Sequence, residues 1–187
     1  MFIDAKQARK EKYDLCVIGA GPAGIIVALE YAKRRPEEKI LLLECGKKGT
    51  TVNPLDESVR VLNLQNHYAP YDCTNKGLGG SSISWGGRCV MYDEIDFLPH
   101  GPVQEQCTWS SDFLRELDLY LDQTSSYFLC GSSVFDASGV DVAKNGVIAD
   151  GFRQGAVTDQ RLERWSLPTR FGKQYRHKLE LSSSIDV

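Results

Sequence analysis

Leu15-Cys16-Val17-Ile18-Gly19-Ala20-Gly21-Pro22-Ala23-Gly24 constrains this chain more than any other stretch. Four apolar residues stopped by glycine predict a strand buried on both faces, with Cys16 as a small core hydrophobe. After Pro22 the period changes. Ile25, Ile26, Ala28, Leu29 and Ala32 recur at helical spacing, Lys33, Arg34 and Arg35 fall where the helix dipole favours cations, and Pro36 stops the helix. KILLLE, ending at Glu44, predicts a second buried strand. Strand, glycine turn, helix and strand make the first βαβ unit of a parallel sheet, so the fold class is α/β.

Gly19, Gly21 and Gly24 form G-x-G-x-x-G in the context that gives the pattern meaning, directly after a strand and opening a helix. Gly19 permits the tight turn, Gly21 lets backbone approach a pyrophosphate, and Gly24 lets helix and strand pack, with Pro22 and Ala23 completing the phosphate-facing turn. A bound diphosphate meets unpaired N–H groups and the positive end of the helix dipole. Glu44 lies twenty residues beyond Gly24, where a carboxylate accepts the ribose hydroxyls of an adenosine. The fingerprint serves nicotinamide and flavin dinucleotides alike, so NAD and FAD both remain open here.

Composition narrows the partners. A formal net charge of -3 gives no bulk attraction to nucleic acid or an anionic membrane. No apolar run is long enough to predict a transmembrane helix, and the charged start MFIDAKQARKEKYD is not a secretory signal. The six cysteines never come as CxxC, and with three histidines they leave no metal-type spacing. The expectation is a cytoplasmic protein without a metal site. Residues 46–76 read as a loop-rich connection with packing tyrosines Tyr68 and Tyr71. SSDFLRELDLYLDQTSSYF reads as a helix with Phe113, Leu117, Tyr120 and Leu121 on one face and Ser110 or Ser111 as its cap. RFGKQYRHKLE predicts a last helix, and SSSIDV the start of a strand.

GLGGSSISWGG, residues 77–87, spends five glycines and three serines in eleven positions. Gly79, Gly80, Ser81, Ser82 and Trp85, followed by Gly86, Gly87 and the pair Asp96-Phe97, resemble the glucose-methanol-choline (GMC) oxidoreductase family. The likeness is greatest to its bacterial and pyranose-oxidase-like branch. Trp109 and ERWSLPTRFGKQYRHKL before SSSIDV are similar as well. The resemblance spans nearly the whole chain and is specific at residues 14–46 and 77–97. It implies that residues 1–187 are the N-terminal part of a Rossmann-like FAD-binding domain, with loop-rich or helical insertions at 46–76 and 98–160. The glycine-serine segment would run past the diphosphate and ribityl chain of FAD, Gly79 and Gly80 making room, Ser81 and Ser82 donating to phosphate oxygens, and Trp85 lying near the isoalloxazine, packed against it or against the surrounding core.

The same resemblance implies an oxidoreductase that takes hydride from CH–OH groups of alcohols or sugars. The family's catalytic histidine and its histidine or asparagine partner lie downstream, and the chain is expected to end before them. His67, His100 and His177 match no catalytic position, so the catalytic residues are unassigned. Some relatives bind flavin covalently through a histidine just before the motif tryptophan. That position here is Ser84, which implies noncovalent FAD. Two further readings stay beside the enzyme: a truncated or split polypeptide that binds FAD without catalysis, completed by a separately encoded chain, and an NAD-binding reductase.

Overall fold

The computed structural model describes residues 1–46, 64–66, 74–98, 109, 111–140, 148, 159, 161–167 and 169–187. Tyr68, Tyr71, His67, His100 and Ser110 lie outside them. The chain divides into two compact units, Met1–Trp85 with Thr169–Val187, and Gly86–Pro168.

The first unit is built on a parallel sheet. β1 (Leu15–Ile18) pairs with β2 (Ile40–Leu43), and β2 pairs with β5 (Ile185–Asp186). The α2 helix (Pro22–Arg34) connects β1 to β2, with Pro22 at its first turn and Lys33 and Arg34 in its last. The α5 helix (Phe171–Leu181) leads into β5. These elements fall where apolar periodicity and Pro36 place them. The α2 and α5 helices pack against each other on one face of the sheet. The core there is Ile25 and Ala28 of α2, Ile40 and Leu42 of β2, Phe171, Tyr175 and Leu179 of α5, and Ile185. Beyond β5, the Ile3 N–H donates to the Val187 carbonyl at 2.9 Å and the Val187 N–H to that of Met1 at 2.7 Å. A short helix, α1 (Ala5–Ala8), starts there in a capping box between Asp4 and Gln7.

The expectation that β1 is buried on both faces is corrected. Cys16 and Ile18 are exposed, Ile18 by 84 %, while Leu15 and Val17 turn inward. The register explains it. Cys16 pairs with Leu41 and Ile18 with Leu43 on the face that α2 and α5 do not cover, and Leu43 is 45 % exposed. A continuous apolar run states that both faces suit a covering layer, not that both are covered.

The second unit holds an antiparallel pair, β3 (Arg88–Cys89) with β4 (Arg164–Trp165), and two helices, α3 (Ser111–Asp118) and α4 (Leu121–Phe128). One continuous helix was expected here. The N–H groups of Leu119 and Tyr120 instead bond three residues back, to Glu116 and Leu117, which closes α3 before α4 begins. Tyr120 is accordingly exposed rather than on a shared apolar face. Phe97 is buried edge-on to Tyr92, and Trp109 meets Phe113 with ring centroids 4.6 Å apart. Cys89 lies beside Cys130, and burial together with that thiol pushes the Cys89 thiol up to about 11.

Two outcomes follow from this packing. A Cβ on Gly172 would sit 2.0 Å from the Leu78 carbonyl oxygen, a backbone atom that cannot swing away. Gly172→Ala gains about 1 kcal/mol of helix propensity but overpacks by more, so urea denaturation should show a net loss of about 1–3 kcal/mol. Gly21→Ser, where a Cβ meets nothing within 4 Å, should cost less than about 0.5 kcal/mol. The second outcome concerns Cys89. Carboxymethylation at pH 7, read by peptide mass, should run at least about a hundredfold slower than for a free thiol and rise about tenfold per pH unit toward pH 11.

Candidate functional site

The two glycine segments meet in the first unit. Gly19 takes a positive φ of 97° and donates its N–H to the Leu43 carbonyl at 2.7 Å, which turns the chain off the end of β1 beside the end of β2. A Cβ on Gly24 would lie 1.9 Å from the Gly19 carbonyl oxygen, so only glycine lets α2 start this close to the turn. Gly21 is the N-cap of α2 and makes no side-chain cap. Pro22 follows in the first turn, Ala23 is exposed, and the space at Gly21 is open.

The glycine-serine segment crosses this turn. The Gly79 N–H donates to the Ala20 carbonyl at 2.7 Å, and a Cβ on Gly80 would lie 3.0 Å from the Gly21 Cα. On its other side a Cβ on Gly79 would lie 2.6 Å from the Gly172 nitrogen. Gly79 and Gly80 therefore answer first to neighbouring backbone. Residues Gly80–Ile83 form a 3-10 turn, whose buried Ser82 points into the protein. The Ser82 hydroxyl donates to the Gly79 carbonyl at 2.6 Å and accepts the Phe171 N–H at 3.0 Å, so it caps the start of α5. Ser81 is exposed.

Glu44 stands between the segments. Its carboxylate accepts the N–H groups of Ala20 at 2.9 Å, Gly46 at 2.8 Å and Gly77 at 3.0 Å. Trp85 is anchored from the same unit. Its Nε1 donates to the Thr169 carbonyl at 2.8 Å, its ring meets Phe171 edge-on, and Arg170 donates to its carbonyl at 2.9 Å. Its ring thus packs against the protein core. Ser84 is exposed and accepts from Asn75 Nδ2 at 2.6 Å.

The structure therefore gathers Gly19, Gly21, Gly24, Glu44, Gly79, Gly80, Ser81, Ser82 and Trp85 in one unit. Gly46, Gly77, Phe171 and Gly172 belong to the same assembly and were not singled out from the sequence. A glycine inside the helical pattern of RFGKQYRHKLE was the available signal for Gly172, since such a glycine marks a close approach. His177 is exposed on α5, away from any motif. Asp96 serves a local turn, accepting the Asp93 N–H at 2.8 Å, and Phe97 serves the core of the second unit. That unit also contains a cavity of about 660 Å³ beside Tyr92, Asp96 and Asp118. Its Arg161 is paired with Asp93 at 2.8 Å, and its Arg88 with Glu163. Among the described residues no cluster of three metal-binding side chains exists, and no helix is long and apolar enough to cross a membrane.

No protein-family model matches the chain, and no curated protein or solved structure was found to be similar to it.

The two serines separate by role. Ser82→Ala leaves the Phe171 N–H without its acceptor and should lower stability by about 1–2 kcal/mol in chemical denaturation. Ser81→Ala, at an exposed hydroxyl, should change it by less than about 0.5 kcal/mol.

Proposed function

We propose that this chain is the FAD-binding part of an oxidoreductase acting on CH–OH groups of alcohols or sugars, the activity of the GMC oxidoreductases that its glycine segments resemble. One observation carries the reading. The turn at Gly19–Gly21 and the segment at Gly77–Ser82, each assigned by its own motif to one dinucleotide, lie against each other through the 2.7 Å bond from Gly79 to Ala20.

The residues present fit the cofactor. The space at Gly21 is open where a pyrophosphate would approach, and α2 has no side-chain cap competing for its first N–H groups. Ala23 and Gly24 would donate those groups to phosphate, with the helix dipole behind them, while Pro22 has none to give. Ser81 would add an exposed hydroxyl. Glu44 directly follows β2, where the adenosine ribose of a Rossmann-like fold lies. When bound, FAD supplies the hydride-accepting ring. Trp85 keeps its orientation through Thr169 and Phe171, so any flavin beside it would meet a preset surface.

The NAD-reductase alternative shares Gly19, Gly21, Gly24 and Glu44, and it gives the segment from Gly77 to Trp85 no part in holding the ligand. The exposed apolar face of Cys16, Ile18 and Leu43 favours a different second reading. In it the chain is a truncated or split polypeptide that binds FAD without catalysis, and a separately encoded chain would cover that face.

The test is titration with FAD and with NAD. FAD should bind, Gly21→Val should abolish binding with the circular-dichroism spectrum intact, and Glu44→Ala should weaken it by about 1.5–3 kcal/mol. Tighter binding of NAD than of FAD would reject the flavin reading. After acid precipitation of the loaded protein all flavin should stay in the supernatant, because a serine hydroxyl at position 84 cannot make the histidyl bond. Turnover of alcohols or sugars with a dye acceptor separates the enzyme from the noncatalytic binder.

A further inference from the structure

The carboxylate that the nucleotide reading assigns to a ribose is already engaged. Glu44 Oε1 accepts the N–H groups of Gly46 at 2.8 Å and Gly77 at 3.0 Å, and Oε2 accepts that of Ala20 at 2.9 Å. The Cys45 thiol adds a weak contact to Oε1 at 3.7 Å. A carboxylate offers about four lone-pair sites, two on each oxygen. Backbone therefore fills Oε1, and Oε2 keeps one site. A ribose with free 2′ and 3′ hydroxyls brings two donors to that single vacancy.

Packing around the carboxylate supports the same arrangement independently. A Cβ on Gly46 would lie 2.2 Å from the Gly77 nitrogen and 2.4 Å from the Lys76 carbonyl carbon, so the two backbones touch where Glu44 bridges them. The Gly79 to Ala20 bond closes the circuit from the other side.

We propose that Glu44 is a positioning clamp that assembles the two glycine segments before any ligand binds, and that it meets a nucleotide ribose through one hydroxyl only. The clamp stands on the hydrogen bonds of the chain itself. The one-hydroxyl rule rests on the nucleotide reading above. In this arrangement the segment from Gly77 to Ser82 is a preformed wall of the site. Recognition of both hydroxyls would require the carboxylate to release Gly46 or Gly77 first, so the second ribose bond would be made at the cost of one already in place.

Two measurements decide the proposal separately. Hydrogen exchange of the ligand-free protein, resolved by NMR, should show protected amides at Ala20, Gly46 and Gly77. Glu44→Gln keeps the shape but replaces one acceptor oxygen with a donor. It should speed exchange at those three amides by about tenfold or more and leave Arg35, at the far end of α2, unchanged. Unchanged exchange in the variant overturns the clamp. Should the variant not fold, the parent decides alone: a Gly77 amide exchanging at the free-peptide rate overturns it. For the ribose, the parent is titrated by calorimetry with ADP, 2′-deoxy-ADP and 3′-deoxy-ADP. One deoxy analogue should bind about tenfold or more weakly and the other within about twofold of ADP. Comparable losses for both overturn the one-hydroxyl rule. No binding by any of the three rejects the nucleotide reading and that rule together, while exchange still judges the clamp.

Discussion

Backbone lying against backbone, with no side chain between, is what the first unit depends on. The segment from Gly77 to Ser82 fits between the turn after β1 and the start of α5, where Gly172 would carry a Cβ 2.0 Å from the Leu78 oxygen and Gly79 one 2.6 Å from the Gly172 nitrogen. At this separation carbonyl and N–H groups of unconnected segments bond directly, as Gly79 does to Ala20 at 2.7 Å. Ser82 then places its hydroxyl where α5 needs an acceptor. The helix, its cap and the turn are consequently set by one crossing. A wider approach would separate the polar groups, and each buried one left unpaired costs about 1–3 kcal/mol.

The crossing also sorts the charged groups. A carboxylate placed among three N–H groups is held by charge-assisted bonds, roughly twice as strong as neutral ones. Glu44 has that position because β2 ends just before it, and β2 ends there because Gly19 bonds to Leu43 and turns the chain away. Position in the sheet, orientation of the carboxylate and shape of the turn are thus one arrangement. Any ligand that uses this corner must work with groups that already have partners.

Local patterns in the sequence were enough for β1, α2, β2, α5 and β5, because each is written in a period or a stop signal within a few residues. The packing reason for Gly24 was legible too, since the motif places that glycine opposite the strand. Burial of β1 was not. Apolar periodicity records what a strand tolerates, and the number of layers over the sheet is a property of the whole fold. Cys16 and Ile18 look alike in sequence whether or not a layer covers them. The break between α3 and α4 left no proline or glycine to mark it. The direction of the Ser82 hydroxyl was not legible either: a serine beside glycines looks the same whether its hydroxyl faces a ligand or Phe171. Gly46 and Gly77 were visible as glycines, but their mutual contact depends on a crossing that no local rule describes.

Trp85 and Thr169 hold a topological consequence. The residues where the chain leaves the first unit and returns to it are bonded to each other, Trp85 to Thr169 at 2.8 Å and Arg170 back to Trp85 at 2.9 Å. The intervening stretch, Gly86–Pro168, is therefore an excursion between two fixed posts. With its ends already brought together, each doubling in the length of such an insert costs only about 0.6 kcal/mol in chain entropy. Residues added to or removed from that stretch would therefore leave the sheet and its glycine crossing little changed in chain entropy.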